Sequence, residues 1–125
     1  AVILKLAHPN DWGYMKSSSR LRQAMQEAID KGVYDISSYD EMKGDNEGYN
    51  HVITQEYAYW LILAEWDYFV ISGNKQEGMT GNGEFTLGTP SEIQEQLPLG
   101  HQLYVDYVEK ILSVPDKNTI ISLFP

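Results

Sequence analysis

Glu56 is the residue in this chain whose surroundings most invite chemistry. It lies in the most apolar stretch of the sequence, followed by Tyr57, Ala58, Tyr59 and Trp60. On a helix, Asp67 would project on nearly the same face about three turns later. If that face is buried, Glu56 must be ion-paired, hydrogen-bonded or bound to a metal, because an unpaired buried carboxylate is costly. A carboxylate perturbed in this way is a candidate functional group. The alternative makes Glu56 and Asp67 a narrow solvent-facing strip, which is the commoner fate of such residues.

Other chemistry is sparse. There is no Gly-x-Ser-x-Gly elbow, and no glycine-rich phosphate loop ends in Lys-Ser or Lys-Thr. Residues 78–83 are rich in glycine but lack the lysine and the strand-to-helix setting of a phosphate loop. Asp45, Glu47 and Asn50 offer oxygen ligands for a weak surface calcium site. Their spacing is not that of an EF-hand, so a solvated acidic turn is the simpler reading. The histidines His8, His51 and His101 are scattered, and none has a second histidine three or four residues away. With no cysteine, disulfide scaffolds, cysteine-ligated zinc fingers and thiol enzymes are excluded.

The elements that would position these residues are mainly helical. Residues 51–71 are apolar nearly all round, interrupted after His51 only by Thr54, Gln55, Glu56, Glu65 and Asp67. That pattern predicts a buried central helix, with 68–71 free to leave it. A second helix is expected over about 19–31. Ser17, Ser18 or Ser19 is its cap, Leu21, Ala24, Met25, Ala28 and Ile29 its apolar stripe, and Gly32 its stop. A single turn is expected over 38–42 and a loop over 43–50. Thr89, Pro90 and Glu92 form a capping box that starts a helix running to about Leu97. Pro98 and Gly100 break or kink it, and a further helix follows over about 101–112. Short strands are expected at 2–7 and 119–124, and residues 72–88 form either a hairpin or a loop. The expected fold class is therefore mainly α: about four helices around a buried helix at 51–71, with one or two short strands at the chain ends.

At 125 residues and 42% hydrophobic content, the chain has the size and core material of a single helical domain. It starts at Ala1 rather than Met, so it reads as a processed product or a fragment. The net charge of −9 argues against binding a nucleic-acid backbone or an anionic membrane surface. No window is long and apolar enough for a membrane span. A cytoplasmic chain and a bacterial secreted one fit equally well.

Residues 49–60, Tyr-Asn-His-Val-Ile-Thr-Gln-Glu-Tyr-Ala-Tyr-Trp, resemble the third-ligand helix of some zincin metallopeptidases, including the anthrax lethal factor group. The resemblance implies that Glu56 is a zinc ligand and that Tyr49, seven residues earlier, stabilises an oxyanion. The later helices would then resemble that domain's C-terminal helices. The His-Glu-x-x-His motif, which supplies two ligands and the general base, is absent. The resemblance therefore implies the C-terminal part of such an enzyme, or a degenerate relative, and not a zinc peptidase working alone.

The nine Tyr, three Trp and three Phe support a different expectation. Trp12, Tyr14 and Tyr49 fall in or near expected loops, where exposed aromatics suit partner binding. The same residues would equally plug the ends of a small core. The reading of the sequence is thus a non-catalytic binding or interaction module with no cofactor. Its partner would be a protein, a peptide or a small molecule, with a mild preference for cations. The zincin-like reading, with zinc on Glu56, is the alternative.

Overall fold

Ser19 shows how local sequence sets the first half of the fold. Its hydroxyl accepts the Arg22 N–H at 3.2 Å, capping a helix, and donates to the Gly13 carbonyl at 2.8 Å, which ties that helix to the chain before it. The structure is a computed structural model that describes residues 7–68 and 84–109. In these residues the fold is mainly α. Helix α1 (Pro9–Trp12) is a single turn with proline in its first turn. Helix α2 (Arg20–Asp30) buries Leu21, Ala24, Met25 and Ala28, the stripe expected from the spacing. It ends in a left-handed Gly32, with a φ of 73°. The Gly32 N–H bonds the Ile29 carbonyl and the Val33 N–H bonds the Ala28 carbonyl, which is the Schellman closure.

A 3-10 helix (Ser37–Met42) follows, its start held by Asp35, whose carboxylate accepts the Ser37 N–H at 2.9 Å. Helix α3 (Asn46–Glu65) is the longest element. Its limits differ from the expected 51–71. It starts five residues earlier because Asp45 is an N-cap, accepting the Gly48 N–H at 3.1 Å, and Glu47 suits the first turn. What reads as a loop is therefore a helix start. The helix stops at Glu65 because Asp67 takes a left-handed φ of 59°, a conformation Asp tolerates better than most residues.

Thr89 caps α4 (Pro90–Gln96) as expected, with the Glu92 carboxylate reaching back to the Gly88 N–H and the Thr89 hydroxyl. Pro98 then opens α5 (Pro98–Leu103), which continues into a π-helical segment (Tyr104–Val108). The helix expected from 101 therefore begins three residues sooner, because proline fits a first turn as well as it ends a helix.

The core gathers the α2 stripe with Tyr57, Ala58, Leu61 and Ala64 of α3, Ile93 of α4, and Leu103 and Val108 beyond it. α3 is central but not covered on all sides, since His51, Gln55 and Tyr59 are exposed. Gly100 permits a close approach between α3 and α5. A Cβ there would lie 2.6 Å from the Tyr57 hydroxyl and 3.2 Å from Leu61 Cδ1. Residues 84–86 lie antiparallel to 33–35 through an isolated Tyr34–Phe85 bridge, with Asp35 N–H on the Glu84 carbonyl and Thr86 N–H on the Val33 carbonyl. No sheet forms among the described residues. The strands expected at the chain ends, and most of the 72–88 segment, lie outside them.

Trp12 is wholly buried and Tyr14 is 2% exposed. Trp12→Ala should therefore lower unfolding stability by about 3–5 kcal/mol, as for other buried aromatics. Gly100→Ala should cost about 1–3 kcal/mol, because the Tyr57 hydroxyl must move. Urea unfolding measures both, and a near-neutral Trp12→Ala would contradict this packing.

Candidate functional site

The burial of Trp12 and Tyr14 removes the exposure on which their expected role in partner binding rested. Trp12 packs edge-on to Tyr107, and Tyr14 packs against His51 with ring centroids 4.9 Å apart. Tyr49 is half-buried in the first turn of α3. It lies near Arg22, whose guanidinium donates to the Tyr14 carbonyl at 2.9 Å and to the Asn50 side-chain oxygen.

Glu56 is half-buried, neither in the core nor on an open strip. Its carboxyl is pushed above the usual carboxylate range by burial first and by the neighbouring Glu84 charge second. Glu84 arrives on the segment paired with 33–35. Its carboxylate accepts the Trp60 indole N–H at 2.8 Å and the Tyr39 hydroxyl. Burial, followed by that hydrogen bond, pushes the Tyr39 hydroxyl up. The Tyr34 hydroxyl is also pushed up, by burial and then by Glu84, Tyr39, Glu56 and Tyr49, and it donates to the Ile53 carbonyl at 2.6 Å. Glu56 and Tyr49 thus share an acidic, tyrosine-rich side of the molecule. Among the described residues, no three His, Asp or Glu side chains are grouped so as to hold a metal ion.

This side carries two adjoining depressions. A shallow groove of about 440 Å³ has Ile29, Tyr34 and Ile36 in its wall, with Asp35, Ser37 and Asp40 as polar lining. A smaller cleft of about 80 Å³ joins Asp35 and Ser37 to Ser38 and Glu84. Of the described cations, Lys43 stands here, 3.2 Å from Asp40 in an exposed pair of little energetic weight.

A second cluster was passed over in the sequence. Glu65, the last residue of α3, has a side chain only 2% exposed, and its two oxygens lie 3.1 and 3.2 Å from His101 Nδ1. Burial raises the Glu65 carboxyl, while the hydrogen bond and charge of His101 oppose the rise and Glu109 adds to it. The available signal was position: Glu65 falls one helical turn after Leu61, on the stripe that buries α3.

A carboxyl whose folded pKa lies above its unfolded one favours the fold more when protonated than when charged, and for Glu65 the His101 pair offsets part of that difference. The contribution is complete below the unfolded value and is lost as pH rises through the folded one. For Glu65 and Glu56 this window opens at the ordinary carboxylate range and extends upward. Glu65→Gln keeps an acceptor for His101 and removes the charge, so it should cost less at neutral pH than His101→Ala. The latter strands a buried carboxylate at a cost of about 1–3 kcal/mol. Chemical denaturation of both variants between about pH 4 and 7 should also show a flatter profile for Glu65→Gln. A larger loss for Glu65→Gln than for His101→Ala would overturn the assignment.

No protein-family model, no curated protein and no solved structure matches this chain.

Proposed function

We propose that this chain is a non-catalytic binding module. It receives a cationic segment of a peptide or protein partner in the groove between the end of α2 and the 3-10 helix. The observation that carries the reading is the groove's make-up. Ile29, Tyr34 and Ile36 supply apolar wall, and Asp35 and Asp40 supply negative charge beside it. A basic side chain entering there meets carboxylates, while its aliphatic stem or an apolar neighbour covers the wall. Glu84 and Glu56 extend the acidic field along the same side.

The long-range charge pattern supports the same partner chemistry. The sequence has no Lys or Arg between Lys43 and Lys75, and none between Lys75 and Lys110. α3, α4 and α5 therefore carry no permanent cation, and Lys43, in its exposed pair with Asp40, is the described cation beside the groove.

The test is calorimetric titration with an amphipathic Lys/Arg-rich peptide and with its Glu-rich counterpart. Only the basic peptide should bind, and its affinity should fall as salt is raised from about 50 to 500 mM. Asp35→Asn with Asp40→Asn should weaken binding by about five- to thirtyfold, at roughly 0.5–1 kcal/mol per charge. Asn at 35 keeps an acceptor for Ser37, so the 3-10 helix is retained. Equal binding of both peptides, or unchanged affinity in the double variant, would overturn the proposal.

A further inference from the structure

The contact between Glu65 and His101 lies apart from the groove lined by Asp35 and Asp40. Among the described residues, His101 is the ion-pair partner of Glu65. The partners differ in access to water, since the Glu65 side chain is 2% exposed and that of His101 25%. The histidine can exchange its proton with solvent while the carboxylate stays enclosed. Histidine is the side chain whose charge ordinarily changes between about pH 5 and 8.

What His101 holds in place is a short element. α5 has six residues and passes directly into the π-helical segment. π turns are locally less regular than α-helix and often mark functional positions. Polar ties to three other helices fasten this unit, the Tyr107 hydroxyl donating to Asp11 of α1 among them. The Glu27 carboxylate of α2 accepts the Leu99 N–H at 3.2 Å. Arg20 of α2 pairs with Asp106 at 2.9 Å. His101 joins Glu65 of α3. Among the described residues, the tie to Glu65 is the one a histidine makes.

We propose that the Glu65–His101 contact is a pH-operated latch, closed when His101 carries its proton and loosened when that proton leaves, so that α5 and the π-helical segment undock from the end of α3. With the proton, the pair is a charged hydrogen bond out of water. Without it, an enclosed carboxylate is left with a neutral ring donor. The other titratable groups around the pair work in the same direction. Glu109, beyond the π segment, acts on Glu65 as a like charge. The Tyr104 hydroxyl, raised by burial and then by Glu65 and Glu109, supplies no positive charge. From the α2 side, Glu27 acts with Glu65 on the buried Tyr57 hydroxyl that abuts Gly100. Arg20 is held by Asp106 and faces the Tyr107 ring 5.7 Å away.

Hydrogen-exchange protection of residues 98–109, measured from about pH 5 to 8.5 on the full chain, tests the latch, with histidine NMR marking the loss of the His101 proton. Protection should fall about tenfold through that transition, while residues 20–30 keep theirs. Glu65→Gln should abolish the pH dependence, because no charged pair remains to be broken. His101→Gln, which donates but does not titrate, should do the same and stands in should the first variant fail to fold. Constant protection in the native chain across the transition would overturn the latch. So would a tenfold fall that persists in either folded variant.

Discussion

Glu65 ends α3 with its carboxylate enclosed, and two physical terms disfavour its charge there. Burial removes water, and the last turn of a helix presents the negative end of the backbone dipole. No basic residue in the last turn of α3 relieves this. Relief comes from another element, and the geometry follows from it. His101 must reach the end of α3, so α5 must approach closely. Gly100 makes that possible by leaving the Tyr57 hydroxyl and Leu61 room against its backbone. The order Gly100-His101 thus couples a steric allowance to an electrostatic need in adjacent residues.

The helices that announce themselves locally were the legible ones. α2 is written in its serine cap, its apolar stripe and Gly32, and α4 in Thr89, Pro90 and Glu92. All of these signals lie within one or two turns of the residues they govern. The limits of α3 were harder to read. Asp45, Asn46, Glu47 and Gly48 serve a loop as well as a helix start, and the left-handed Asp67 has no unique sequence signature. The sites were harder still. The Glu65–His101 pair joins residues 36 positions apart, and the Glu84 contacts with Trp60 and Tyr39 join distant segments. Trp12 and Tyr14 show the same limit from the other side, since an aromatic in a connector reads alike whether it caps a core or meets a partner.

Charge is partitioned along the chain. The described cations are Lys16, Arg20, Arg22, Lys31 and Lys43, all before α3. All five have partners within the chain: Arg20 pairs with Asp106, Arg22 bonds Asn50 and the Tyr14 carbonyl, Lys16 bonds Asn10, Lys31 bonds the Gln96 carbonyl, and Lys43 pairs with Asp40. The basic residues of α2 thus serve to fasten the rest of the fold, while Asp35 and Asp40 line the groove beside the end of α2. A molecule arranged this way presents direction to an approaching cation as well as net attraction.

The Tyr34–Phe85 bridge has a kinetic consequence. It joins segments about fifty residues apart, with all of α3 between them, so forming it requires closure of a long loop. The caps and turns of α2 and α4 close over a handful of residues and need no such search. Glu84 comes with the bridge, because its backbone carbonyl bonds Asp35 and its carboxylate bonds Trp60. The acidic cleft is therefore complete only once this long loop has closed. Chains with helices formed but this loop still open present α3 without its Glu84 wall, and recognition at that edge reports completion of the fold as well as the identity of the partner.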